Sequence, residues 1–173
     1  MKAVSYAGIG ARTTGSEMLR LMSRVASRLG ELGLVLRTGG APGADQAFIS
    51  GVADGFVEIF LPWPSYEGLG GKARLSRPLA EAFEIASRHH PAWGGLKESV
   101  RALMARNVHV LLGASLEEPV AFVLYWTEDE SRGGTAHALR VARAYGIPTI
   151  HLGKPGALEG IARLLTELGV KRA

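Results

Sequence analysis

Three glycine-bearing stretches carry residue types suited to holding an anion. The first, LRTGGAPGADQAF (Leu36 to Phe48), sets Thr38, Gly39, Gly40 and Gly43 ahead of Asp45. The second, GIGAR, places Gly8 and Gly10 before Arg12, and the third, ESRGGT, ends on Gly133, Gly134 and Thr135. Each follows an apolar run and precedes a helical pattern. Glycine lets backbone N–H groups approach a ligand closely, and the start of a helix adds unpaired N–H groups and the positive end of its dipole. One such loop is equally an ordinary turn. Three on the carboxyl edge of one sheet favour a phosphate-bearing ligand.

The side chains around these loops have alternative uses. Asp45 opens a helix, so it can hold a ribose hydroxyl, act as a base, or simply cap the helix. Arg12 can clamp a phosphate bidentately or form a surface ion pair. Arg106 and Asn107 interrupt an otherwise apolar helix, as pocket residues or as a solvated stripe. His137, just inside the helix after Gly134, can serve as a phosphate donor or general acid, or pack in the core. Trp63, Tyr66, His89, His90 and Trp93 gather in an irregular middle segment. Trp63 and Trp93 are candidates to stack a base, or they pack that segment onto the sheet.

Several familiar chemistries lack their motif. GIGART has Thr13 where a dinucleotide fingerprint needs its third glycine, and Arg37 ends the second strand where an acid would hold a ribose. No G-x-x-x-x-G-K-[ST] sequence occurs. RHHPAW has adjacent histidines but no spaced partners, and the chain has no cysteine, so no metal and no other cofactor is expected.

The elements that must position these residues follow from periodicity. Ala3–Tyr6 reads as a strand feeding the first glycine turn. In the helix that follows, Met18, Leu21, Met22, Val25, Leu29 and Leu32 form one face. Thr14 and Glu17 have capping-box spacing, and Gly33 closes the helix. LVLR, VEIFLP, PVAFVLYW and PTIHLG read as further strands. GADQAFISGVADG, SVRALMARNVHVLLGAS, GGTAHALRVARAYG and GALEGIARLLTELG read as helices. Alternating strands and helices predict an α/β fold: a Rossmann-like, doubly wound, mainly parallel sheet with helices on both faces in three layers. Residues 1–173 read as one domain, with an irregular cap-like insertion over about 62–98.

The chain has 173 residues, 47% of them apolar, and a mean hydropathy of +0.12. It has no apolar run near 18 residues and no secretory pattern, so no membrane contact is expected and the cytoplasm is the default location. The formal charge is +4, and fifteen of the twenty basic residues are arginine, the better bidentate partner for phosphate.

GIGAR, TGGAPGAD, Ala105-Arg106-Asn107 and Gly133-Gly134-Thr135 occur in the order seen in the SLOG superfamily of Rossmann-like nucleotide-binding proteins. The chain most resembles the core of the DNA-processing protein A (DprA) family, which binds single-stranded DNA. That resemblance implies a ligand loop at Thr38–Asp45, with Arg106-Asn107 and Gly133–Thr135 beside it. It implies a nucleotide or single-stranded nucleic acid as partner; a homo-oligomer is also expected, since the apolar VLLG and FVLYW runs can serve an oligomer face as well as a core. It is more distant to the lysine-decarboxylase-like (LOG) phosphoribohydrolases, which carry a catalytic glutamate where this chain has Ala138. Two alternatives therefore stand beside the binder: a nucleoside-monophosphate N-glycosidase using Asp45 or His137, and a nucleotide-sensing regulatory or assembly module.

Overall fold

A computed structural model describes residues 2–171. It contains β1 (Ser5–Gly10), α1 (Ser16–Glu31), β2 (Val35–Thr38), α2 (Ala44–Ser50), β3 (Val57–Phe60), β4 (Ala73–Leu75) and α3 (Ala80–Arg88). These are followed by α4 (Glu98–Leu112), β5 (Val123–Trp126), α5 (Gly134–Ala144), β6 (Thr149–His151) and α6 (Ala157–Glu167). The six strands pair in the order β4-β3-β2-β1-β5-β6, all parallel. This is the expected Rossmann-like, three-layer α/β architecture.

Alternation along β1 shows how the sequence builds the layers. Ala7 and Ile9 face a core shared with α3, α4 and α5, while Tyr6 faces a second core shared with α1, α2 and α6. In α1, Met22, Ala26 and Leu29 are buried at helical spacing, and Gly33 ends the helix at φ 87°. The expected capping box does not form. Gly15 is the N-cap residue, and the Thr14 hydroxyl turns back to donate to the Ala11 carbonyl at 2.5 Å.

Two boundaries differ from expectation. β1 runs through Gly10, so Gly8 and Gly10 belong to a strand rather than a loop. A Cβ at Gly8 would lie 2.7 Å from the Phe48 ring and 2.9 Å from Leu36, so the glycine makes room for α2 to lie close on the sheet. The segment 62–98 is more regular than its composition implies, since it supplies β4 and α3. β4 is held by charge as well as by its ladder. Glu58 on β3 accepts from Arg37 at 3.0 Å and lies 3.6 Å from Arg74, tying β2, β3 and β4 together. Arg37, buried in that network and donating also to the Glu118 carbonyl, is not free to read a 2′-phosphate.

Candidate functional site

The chain winds outward from β1 to β4, then returns to place β5 on the other side of β1. Ligand crevices form outside the carboxyl ends of strands where such a sheet reverses its winding. A cavity of about 380 Å³ opens there. Its polar wall combines Arg12 after β1, Asp45 on α2, Arg106 and Asn107 on α4, and Gly134 and Thr135 at the start of α5. Val100, Leu103 and Met104 of α4 supply an apolar wall, and Gly10 lies on the β1 side. A second cavity of about 540 Å³ shares Ala11, Gly134 and Thr135 with the first and continues past Gly133 to Glu128, Asp129 and Arg132.

Arg106 is the dominant charge. It is only 4% exposed. Its guanidinium donates to the Gly39 carbonyl and, through Nε, to the Leu103 carbonyl at 3.3 Å. Among the described residues no carboxylate lies within ion-pair distance of it. Asp45 is near enough to feel its charge but not at ion-pair distance, and an arriving anion would complete the pairing that a buried charge needs. Gly39 permits the arrangement: a Cβ there would sit 2.5 Å from the guanidinium.

Asp45 is likewise buried, with Oδ2 accepting from the Ala41 N–H at 3.1 Å. Burial pushes its carboxyl up to about 6, against the opposing pull of Arg106, of the Ala41 and Gly39 amides, and of Arg12. The Thr38–Asp45 loop therefore satisfies itself. The Thr38 hydroxyl donates to the Gly8 carbonyl at 2.7 Å, and Gln46 Nε2 donates to the Gly40 carbonyl at 3.2 Å. Gly40 is covered by Leu69, and Gly43, at φ 90°, abuts the backbone of Arg12. The loop shapes the cavity, while Thr38, Gly39, Gly40, Gly43 and Gly8 are not part of its lining.

Three further expectations meet a different geometry. His137 does not face the ligand edge. It is fully buried, its Nε2 lies 2.9 Å from the Ala86 carbonyl, and burial pushes it down to about 4, so it stays neutral. It packs α5 on α3 and lines neither cavity. Trp93 carries the Arg101 guanidinium over its ring at 5.5 Å, packs partly buried against the core, and lines neither cavity. Trp63 stands edge-on to Tyr66 with centroids 5.3 Å apart, and it too lies outside both cavities.

The residue that sequence reasoning undervalued is Tyr66. Its hydroxyl accepts from Arg12 at 3.1 Å, and its ring lies 5.2 Å below the Arg106 guanidinium. One buried aromatic thus positions both cavity arginines. Only its place in a cluster of aromatics hinted at a role. The apolar α4 wall carried no distinguishing signal, because Val100, Leu103 and Met104 share the period of core positions.

No protein-family model and no curated protein matches the chain. Among solved structures it is similar to DNA processing protein A from Helicobacter pylori, in a structure described as showing that protein's single-stranded DNA binding mode. The likeness has a TM-score of 0.58 at 16% identity and covers 98% of this chain and 74% of that one. At that identity the likeness speaks to the fold.

Proposed function

We propose that this chain binds a phosphate-bearing nucleotide ligand, a nucleotide or single-stranded nucleic acid, in the cavity between β1, α4 and the start of α5. The observation that carries this reading is the buried Arg106, which lines the cavity at the sheet's reversal point with no carboxylate at ion-pair distance among the described residues. Arg12 and the unpaired amides that begin α5 add to the same anion-favouring field. The DNA-processing protein A likeness supports the single-stranded DNA form of the reading, as does the arginine-rich composition. Fluorescence anisotropy with labelled oligonucleotides, beside thermal shift with mononucleotides, tests it. A bound ligand raises the melting temperature by mass action, and silence from every phosphorylated probe at low salt refutes the proposal.

Asp45 supports a second reading. A carboxyl poised near 6 inside a nucleotide-sized cavity is suited to general acid–base work. Nucleoside N-glycosidase activity would release free base from a nucleoside monophosphate. Chromatography of such mixtures decides this, and Asp45→Asn should abolish any release observed.

A further inference from the structure

The helices on the two faces of the sheet are not closed alike. On one face α4 packs closely on both α3 and α5. On the other α1 closes on α2, but α1 and α6 form no comparable seam, although both pack on the core that includes Tyr6, Phe122 and Leu124. Between them lies a furrow of about 220 Å³, far from the cavity described above. Its apolar lining is Val25, Leu29 and Leu32 on the α1 side and Leu158, Ile161 and Leu165 on α6. These positions cover about two turns of each helix, so the furrow runs along the helices rather than across them. Leu158 on its rim is 54% exposed, more than any other large apolar side chain among the described residues. A third helix laid lengthwise would supply the missing ridge.

The rims say which helix. Arg20, Arg24 and Arg28 recur every four residues on the exposed side of α1, about 6 Å apart. Arg28 lines the furrow and holds Glu31 at 3.0 Å. Arg20 and Arg24 have no carboxylate at ion-pair distance among the described residues. The acidic residues of α1, Glu17 and Glu31, stand at its two ends. The α6 rim carries Glu159, Arg163 and Glu167, which alternate in sign and impose no single preference. The α1 rim therefore selects, and it selects carboxylates.

We propose that the furrow between α1 and α6 docks an amphipathic helix of a partner protein, its apolar stripe in the furrow and an acidic flank along Arg24 and Arg28. A nucleic-acid strand suits that rim but not the apolar floor. A basic helix suits the floor but not the rim.

The experiment titrates the intact chain with two labelled peptides, each held helical by a side-chain staple. Both carry the same leucine stripe at i, i+3, i+4 and i+7, and their remaining positions are glutamate in one and lysine in the other. At low salt the glutamate peptide should bind at least about tenfold more tightly, because like charges placed together across an interface are strongly disfavoured. The preference should shrink as salt rises. Replacing Arg24→Glu and Arg28→Glu together, both exposed, should reverse the order. Leu158→Asp should weaken both peptides while leaving the urea midpoint and any oligonucleotide binding in the cavity unchanged. Silence from both peptides, or equal binding of both, overturns the proposal. Concentration-dependent dimerisation that Leu158→Asp abolishes, with neither peptide bound, assigns the furrow to a second copy of the chain and overturns it as well.

Discussion

Tyr66 holds two arginines at once: Arg12 donates to its hydroxyl at 3.1 Å, and the Arg106 guanidinium stacks 5.2 Å from its ring centroid. Neither arginine needs a carboxylate to stay in place, so both charges remain available to a ligand. Tyr66→Phe removes the acceptor for Arg12 and keeps the ring under Arg106. It should weaken phosphate binding by about 1 kcal/mol, roughly fivefold, with the urea midpoint nearly unchanged. Tyr66→Ala removes both supports and a buried ring. It should cost about 3–5 kcal/mol of stability as well as the ligand affinity. Anisotropy and urea titration on the same samples separate the two effects.

Arg106→Met tests the buried cation directly. An unbranched apolar chain of similar reach keeps much of the packing on Tyr66 but leaves the Gly39 carbonyl without its donor. Stability should fall by about 1–3 kcal/mol for that unsatisfied group. Binding of any phosphorylated probe should drop by at least about tenfold, because a charge-assisted contact in a shielded cavity is lost. Unaltered affinity by titration calorimetry would remove Arg106 from the site.

Gly8 makes a packing prediction that opposes its reading as a ligand-loop residue. Gly8→Ala pushes a methyl group into the Phe48 ring and Leu36. Overpacking of this kind costs about 1–3 kcal/mol, and urea unfolding should show that loss. Gly71→Ala, where a Cβ meets nothing within 4 Å, should leave the midpoint unchanged.

Two buried groups, Asp45 and His137, impose opposite pH slopes, and buried His109, also pushed down by burial, adds to that of His137. Asp45 is pushed up to about 6, above its usual 3.8, so the stability it contributes is full below about 3.8 and is lost as pH rises through 6. His137 is pushed down to about 4 from 6.5, so its contribution is full above 6.5 and is lost as pH falls through 4. Each amounts to about 3 kcal/mol at roughly 1.4 kcal/mol per unit, and in the whole protein they largely cancel between pH 4 and 6. His137→Phe should shift the pH dependence toward the Asp45 slope, with stability rising less, or falling, as pH rises over that range relative to the parent protein. Asp45→Asn should expose the His137 slope, with stability rising. Chemical denaturation at half-unit pH steps reads both.

The architecture was legible because its signals are local and repeated. Met22, Val25 and Leu29 announce a helix face by spacing alone, and alternation of such helices with short apolar strands leaves few topologies other than a parallel sheet. The ends of the elements were less legible. Gly8 and Gly10 read as turn residues in one dimension, because the Phe48 ring and Ala44 methyl that require their missing Cβ come from α2, far along the chain. The site was legible as a neighbourhood: Arg12, Asp45, Arg106, Asn107, Gly134 and Thr135 do meet at one cavity. The division of labour within it was not. That Asp45 satisfies its own loop, that Thr38 spends its hydroxyl on β1, and that His137 turns toward Ala86 are outcomes of packing between elements far apart in the chain. Tyr66 shows the same limit from the other side, since nothing in YEGLGG states which cations will lie against its ring.

The run from Tyr66 to Leu75 seats the two arginines, lays Leu69 over Gly40, and then adds β4 alongside β3. The seating of the two cavity arginines and protection of the sheet margin are therefore inherited as one piece. Trimming this stretch to alter what the cavity accepts would leave Val57–Phe60 as a bare apolar border, open to pairing with another molecule's strand. A redesign of specificity here is simultaneously a change in solubility, and a successful one must re-cover β3 with the same stroke.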